Sequence, residues 1–168
     1  MKPFLALTCV FGVLAPVALL AKGETTRITI TDNRPGQSIS ITEPAALAAF
    51  NVWSGRGTFS GPSGHEIEST EGFIIDWPAG PVASRPNGLR QYEVTFYVRY
   101  RNAAADQLAY VVLYEADPSL SEGFVYLPGT SDQTYRLNVQ AISRGVEGNW
   151  FRASRAWQDV VGPLLRAR

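Results

Sequence analysis

Residues Tyr92 to Asp117 read YEVTFYVRYRNAAADQLAYVVLYEAD, and the alternation within this stretch decides the fold class. From Tyr92 the even positions Tyr92, Val94, Phe96, Val98 and Tyr100 are apolar or aromatic, while Glu93, Thr95, Tyr97, Arg99 and Arg101 fall between them. A period of two sends these sets to opposite faces of a half-buried strand. The return stretch is apolar on both faces, with Leu108, Tyr110, Val112 and Tyr114 on one and Ala109, Val111 and Leu113 on the other. That pattern predicts an interior strand, and its β-branched and aromatic content favours strand over helix. Asn102 to Gln107, made of turn formers and small residues, predicts the hairpin loop.

Outward from the hairpin, Arg27 to Thr31 and Ser38 to Thr42 alternate isoleucine with small polar residues around the turn formers Asp32 to Gly36, which predicts two short antiparallel strands. Phe73 to Trp77 predicts a strand that ends at Pro78, and Gly123 to Leu127 another, closed by Pro128-Gly129. Thr134 to Val139 fits either a further strand or a short helix ended by Gly145. A brief helix is expected near 43–50, with Thr42 or Glu43 at its cap, Pro44 in its first turn, Leu47 and Phe50 facing the sheet, and Asn51 closing it in a left-handed conformation. A C-terminal helix is expected near 149–161, capped by Asn149, because Trp150, Ala153, Trp157, Val160, Val161 and Leu164 recur at three and four. Gly162-Pro163 should kink or stop it. These elements predict a mainly β, β-rich α+β fold: one antiparallel sandwich-like domain over residues 24–168.

Residues 1–23 have the form of a secretory signal peptide: Lys2 supplies a positive charge, Phe4 to Ala21 is apolar, and Ala21 and Gly23 are small residues placed for cleavage. Cleavage after Ala21 is a second option. A transmembrane anchor is the competing reading of the run, and Pro16 with the small residues after it favours cleavage. Cys9 lacks the small preceding residue of a lipoprotein signal and is the one cysteine of the chain, so a processed protein has no disulfide. A chain starting at Glu24 carries thirteen arginines and fifteen acids, a net charge of −2, which offers no basic field for nucleic acid. The expected location is secreted or periplasmic, with no membrane span after cleavage.

No catalytic, metal or cofactor motif stands out. Asn51 to Gly64 (NVWSGRGTFSGPSG) is dense in glycine but lacks the G-K-[ST] of a phosphate loop, so it is expected as a surface loop or pair of edge strands. Trp53 beside it is either an exposed platform or a plug in the core. His65 is the one histidine, with no partner for a zinc site and no nucleophile elbow for a triad. Asp76, between Ile75 and Trp77, would be desolvated if it pointed inward. Glu115, Asp117 and Glu122 lie close in sequence without the spacing of a calcium loop. The candidate ligand-binding residues are therefore Trp53, Asp76, Trp77, Tyr97 and Arg99. The alternative is a carboxylate enzyme of the glycoside-hydrolase kind, built from two of Asp76, Glu93 and Glu115. A small membrane barrel would need eight alternating strands of about ten residues, and only Tyr92 to Arg101 fits.

FNVWSGRGT (Phe50 to Thr58), EGFIIDWPAGPV (Glu71 to Val82), YVVLYEADP (Tyr110 to Pro118), VYLPG (Val125 to Gly129) and RGVEGNWFRASRAW (Arg144 to Trp157) together resemble a group of small exported bacterial proteins of uncharacterised function. The resemblance covers most of the chain after residue 23. It implies a secreted, single-domain, β-rich protein and transfers no activity, ligand or functional residue. The function expected is a non-catalytic binding or structural domain, its partner a glycan or a cell-envelope protein.

Overall fold

A computed structural model describes residues 23–33, 38–58, 72–117 and 122–167. Its strands are β1 (Glu24–Asp32), β2 (Ser38–Ile41), β3 (Arg90–Arg99), β4 (Gln107–Ala116), β5 (Gly123–Tyr126) and β6 (Trp150–Arg152). They form one antiparallel sheet in the order β2-β1-β3-β4-β5-β6. The mainly β expectation holds, and the hairpin β3–β4 stands in the middle. A bulge falls where Phe96 pairs Tyr110 while Tyr97 pairs Leu108, so Ala109 is the extra residue. This slip turns Leu108 to the face opposite Tyr110, so Tyr110 is buried whereas Leu108 is exposed.

Cross-strand rows make the core face. Ile28, Phe96 and Tyr110 form one row, and Ile30, Val94 and Val112 the next. Two helices cover it, α1 (Pro44–Ala49) and the C-terminal helix, here named α3 (Arg155–Arg166). The short helix α1 stands where expected, with Glu43 at its cap and Leu47 and Phe50 buried. Asn51 does not take a left-handed conformation; its Oδ1 instead accepts the Trp53 N–H at 2.8 Å. Phe50 meets Trp157 of α3 edge-on at 5.1 Å, which joins the two helices over the sheet.

Three expectations are corrected. Residues 150–152 are strand β6, not the first turn of a helix, because Asn149 and Trp150 are drawn into backbone pairing with Leu127 and Val82. The helix starts at Arg155, where the Ser154 hydroxyl accepts the Trp157 N–H at 3.2 Å, and its buried stripe is Trp157, Val161 and Leu165. It also runs on through Gly162-Pro163 to Arg166. Finally, Phe73 to Trp77 is not a regular strand. The segment follows the outer edge of β6 through isolated bridges at Ile75–Ala153 and Pro81–Phe151, interrupted by a 3-10 turn at Trp77–Ala79 whose Pro78 has no N–H to give a ladder.

The segment left open between strand and helix is a helix, α2 (Tyr135–Ala141). Its Asn138 is 1% exposed and takes both backbone groups of Val111: the Val111 N–H donates to Oδ1 at 2.8 Å, and Nδ2 donates to the Val111 carbonyl at 2.7 Å. The ladder to β5 stops at Leu113, so this amide supplies the pairing that a longer β5 would have given.

Candidate functional site

The glycine-rich loop has a structural cause in the part that is described. Arg144 is 2% exposed, and its guanidinium donates to the carbonyls of Val52, Ser54 and Arg56 at 2.8, 3.0 and 2.9 Å. The same cation lies 4.1 Å from the Phe73 ring centre, with Trp77 and Tyr110 slightly farther out. Burial lowers the Arg144 pKa from a value so high that the group stays charged, and burial raises that of Tyr110. Gly55 and Gly57 have positive φ, and a Cβ on them would meet Trp77 Nε1 at 2.3 Å and the Ser143 carbonyl at 2.6 Å. The loop backbone therefore lies against Trp77 at Gly55 and against Ser143 and Arg144 at Gly57, with no room for a side chain at either glycine. Residues 59–64 of that loop, and His65, lie outside the described residues.

Trp77 is consequently a core residue, 9% exposed and stacked on Phe73, and it offers no open ring face. Asp76 is half-buried, and its backbone N–H donates to the Arg152 carbonyl at 3.0 Å. The other three candidates gather elsewhere, at the end of the sheet where β1 begins and the β3–β4 loop turns. Trp53 is half-buried there and donates its indole N–H to the Gly23 carbonyl at 2.6 Å. Tyr97 lies under the Arg27 guanidinium at 4.1 Å, and Thr26 donates its hydroxyl to the Tyr97 carbonyl at 3.3 Å. Arg99 binds Asp106 with Nε at 3.0 Å and Nη2 at 2.7 Å, both to Oδ1.

Next to these residues opens a cleft of about 460 Å³. Its polar side is Glu24, Thr26, Asn51, Arg99 and Asp106, and its apolar side is Pro44, Leu47 and Ala48 of α1. The hydrogen bond from Arg99 holds the Asp106 carboxyl below the ordinary aspartate range, with Thr26 and the charges of Arg99 and Arg27 adding to it. Thr25 also lines the cleft, and its hydroxyl is buried without a partner among the described residues. The site thus offers two carboxylates, one guanidinium, hydroxyls and an aliphatic wall in a volume suited to a small ligand.

The acids named for an enzyme do not share a cavity. Glu93 and Glu115 are diagonal neighbours on the outward face of the sheet, Glu93 pairing with Leu113 two residues before Glu115, and only Asp76 is remote, at the far edge beyond β6. Glu115 accepts from Arg85 at 2.8 Å and from Gln91 at 3.2 Å, while Glu93 accepts the Thr95 hydroxyl at 3.3 Å. Arg85 also stacks on Trp150 at 3.6 Å, and Trp150 packs on Tyr126 at 5.1 Å, so that half-buried ring already has partners. A second cavity, of about 180 Å³ between Tyr114, Asp117, Glu122 and α3, contains none of these three acids either. Glu122 is paired with Arg152. Among the described residues no group of three or more His, Cys, Asp or Glu side chains converges to hold a metal ion, and no helix is long and apolar enough to cross a membrane. No family profile, curated protein or solved structure matches the chain.

Sequence reasoning missed Glu24, Asp106 and Asn51 as cleft residues, and it missed Arg144 and Asn138 altogether. One signal was present for Asp106: Arg99 and Asp106 flank a hairpin loop, and such flanking residues face each other across it. No sequence pattern marks the lone buried Arg144, because its partners are backbone carbonyls, which every residue carries.

Proposed function

We propose that this chain is an exported, non-catalytic binding domain of the cell envelope, and that it takes a glycan fragment in the cleft beside the β3–β4 loop. The observation that carries the reading is the Arg99–Asp106 pair with Glu24, the ladder partner of Arg99, beside it at a cleft walled by α1. Saccharide hydroxyls both donate and accept, so a ligand of this kind meets carboxylate acceptors and guanidinium donors at once, while its C–H face lies on Pro44, Leu47 and Ala48. The leader-like residues 1–23 support export, and neither cavity is lined by Asp76, Glu93 or Glu115, which weighs against a two-carboxylate mechanism. A partner protein using the same cleft is the competing occupant.

The test is tryptophan emission and amide chemical shifts of the processed protein titrated with cell-wall and storage oligosaccharides. A saturable response centred on Trp53 and residues 97–106, lost in Arg99→Ala and Asp106→Ala at unchanged Tm, supports the reading. A flat response at millimolar saccharide across the panel overturns it.

A further inference from the structure

Gly23 has two explanations that make opposite statements about the processed protein. As a sequence feature it is the small residue just before a cut, with Ala21 at the −3 place, and the processed chain would begin at Glu24. In the folded protein, however, Gly23 is buried, and its carbonyl accepts the Trp53 indole N–H at 2.6 Å. A Cβ at residue 23 would meet the Arg99 carbonyl oxygen and the Tyr100 ring at 3.2 Å and Val98 Cβ at 3.3 Å. Its smallness thus follows from packing against β3 and the start of the hairpin loop, whatever the leader requires.

We propose that Gly23 is a permanent residue of the folded protein and that the leader is cut after Ala21, so the processed chain begins at Lys22. This rests on the export reading above. A cut after Gly23 would take away the acceptor of the half-buried Trp53 indole N–H and the backbone that packs against Val98, Arg99 and Tyr100. It would also place a new α-ammonium on Glu24, the residue opposite Arg99 in the β1–β3 ladder and at the polar side of the cleft. A cut after Ala21 keeps a small residue at −1 and leaves the contact intact. It puts Leu19 at −3, larger than the cleavage rule prefers. The folded-state contact of Gly23 outweighs that mismatch.

The experiment expresses the full chain in an exporting bacterial host and reads the first residue of the purified protein by N-terminal sequencing and intact mass. A start at Lys22 supports the proposal, and a start at Glu24 or beyond overturns it. An intact leader overturns the export reading itself, a distinct failure. Gly23→Leu in the full chain is the second arm. With the cut after Ala21, processing continues to the Lys22 start, and the Tm falls by about 3 °C or more from the crowded contact. Leader retention in Gly23→Leu marks residue 23 as the −1 residue and overturns the proposal. An unstable Gly23→Leu protein leaves the sequencing of the unaltered chain to decide.

Discussion

Arg144 and Arg99 are the same residue type in opposite settings, and the contrast separates what holds this fold from what is free to bind. Arg144 is enclosed, with carbonyls as partners and aromatic rings around it. Arg99 has a side chain that is 56% exposed, and its partner is a carboxylate at the mouth of a cleft. Water screens an exposed pair, so it contributes little to stability and remains available to a ligand. A buried guanidinium cannot be released without leaving its acceptors unpaired. Glycine density marked the first region, yet that region is occupied by its own chain, and the region without such a mark is the open one.

The contrast breaks first at Arg144. Arg144→Met is expected to lose about 3–5 kcal/mol in urea denaturation, since three carbonyls lose charge-assisted donors at once. Arg144→Lys should recover only part of this, because one ammonium has neither the fork nor the flat face. A loss under about 1 kcal/mol in Arg144→Met would remove the distinction drawn between the two arginines.

Asn138 is the next largest effect. Asn138→Ala leaves the Val111 N–H and carbonyl without side-chain partners and should cost about 2–3 kcal/mol, with faster amide exchange at Val111. Asn138→Asp loses the donor, turns a carboxylate oxygen toward the Val111 carbonyl and buries a charge, so at neutral pH it should cost more than Asn138→Ala. Equal protection of Val111 in all three proteins would show that the sheet closes there without the amide.

Arg99 sharpens the comparison by doing the opposite: Arg99→Ala should leave the Tm within error while abolishing the saccharide response. The smallest effect is the pH dependence of its partner. The folded Asp106 carboxyl titrates below its unfolded value, so its contribution is present above about pH 4 and is lost as pH falls through the depressed folded value. In Arg99→Ala the Asp106 titration, followed by its side-chain carboxyl shift, should move back up toward the ordinary range. An unmoved titration would mean that Thr26 and Arg27 hold the carboxylate without Arg99.

The outline of the fold was legible because its signals are local. Alternation in Tyr92 to Tyr100 placed β3, and apolar residues on both faces of Leu108 to Tyr114 marked β4 as interior. Pro44 with Leu47 and Phe50 located α1. Errors came where a distant strand overrode a local pattern. Trp150 fits a helical stripe with Trp157, but β5 recruits it into the sheet. Phe73 to Trp77 has strand composition, but Pro78 and the bend that seats Phe73 against Arg144 prevent a regular ladder. Of the five candidate residues, Trp53, Tyr97 and Arg99 gather at one end of the sheet and Asp76 and Trp77 do not, a division set by register and not by residue type.

The sequence alone determined a β-rich class, the central hairpin and two of the helices, because periodicity and turn chemistry act over a few residues. Tertiary structure decided where β6 ends and α3 begins, why Gly55 and Gly57 are glycines, and that Arg144 is an internal strut while Arg99 is a surface group. Those outcomes depend on groups brought together from as far as 92 residues apart, as when Arg144 reaches the Val52 carbonyl. Backbone carbonyls carry no sequence signature, so only the folded chain shows which of them a side chain will find.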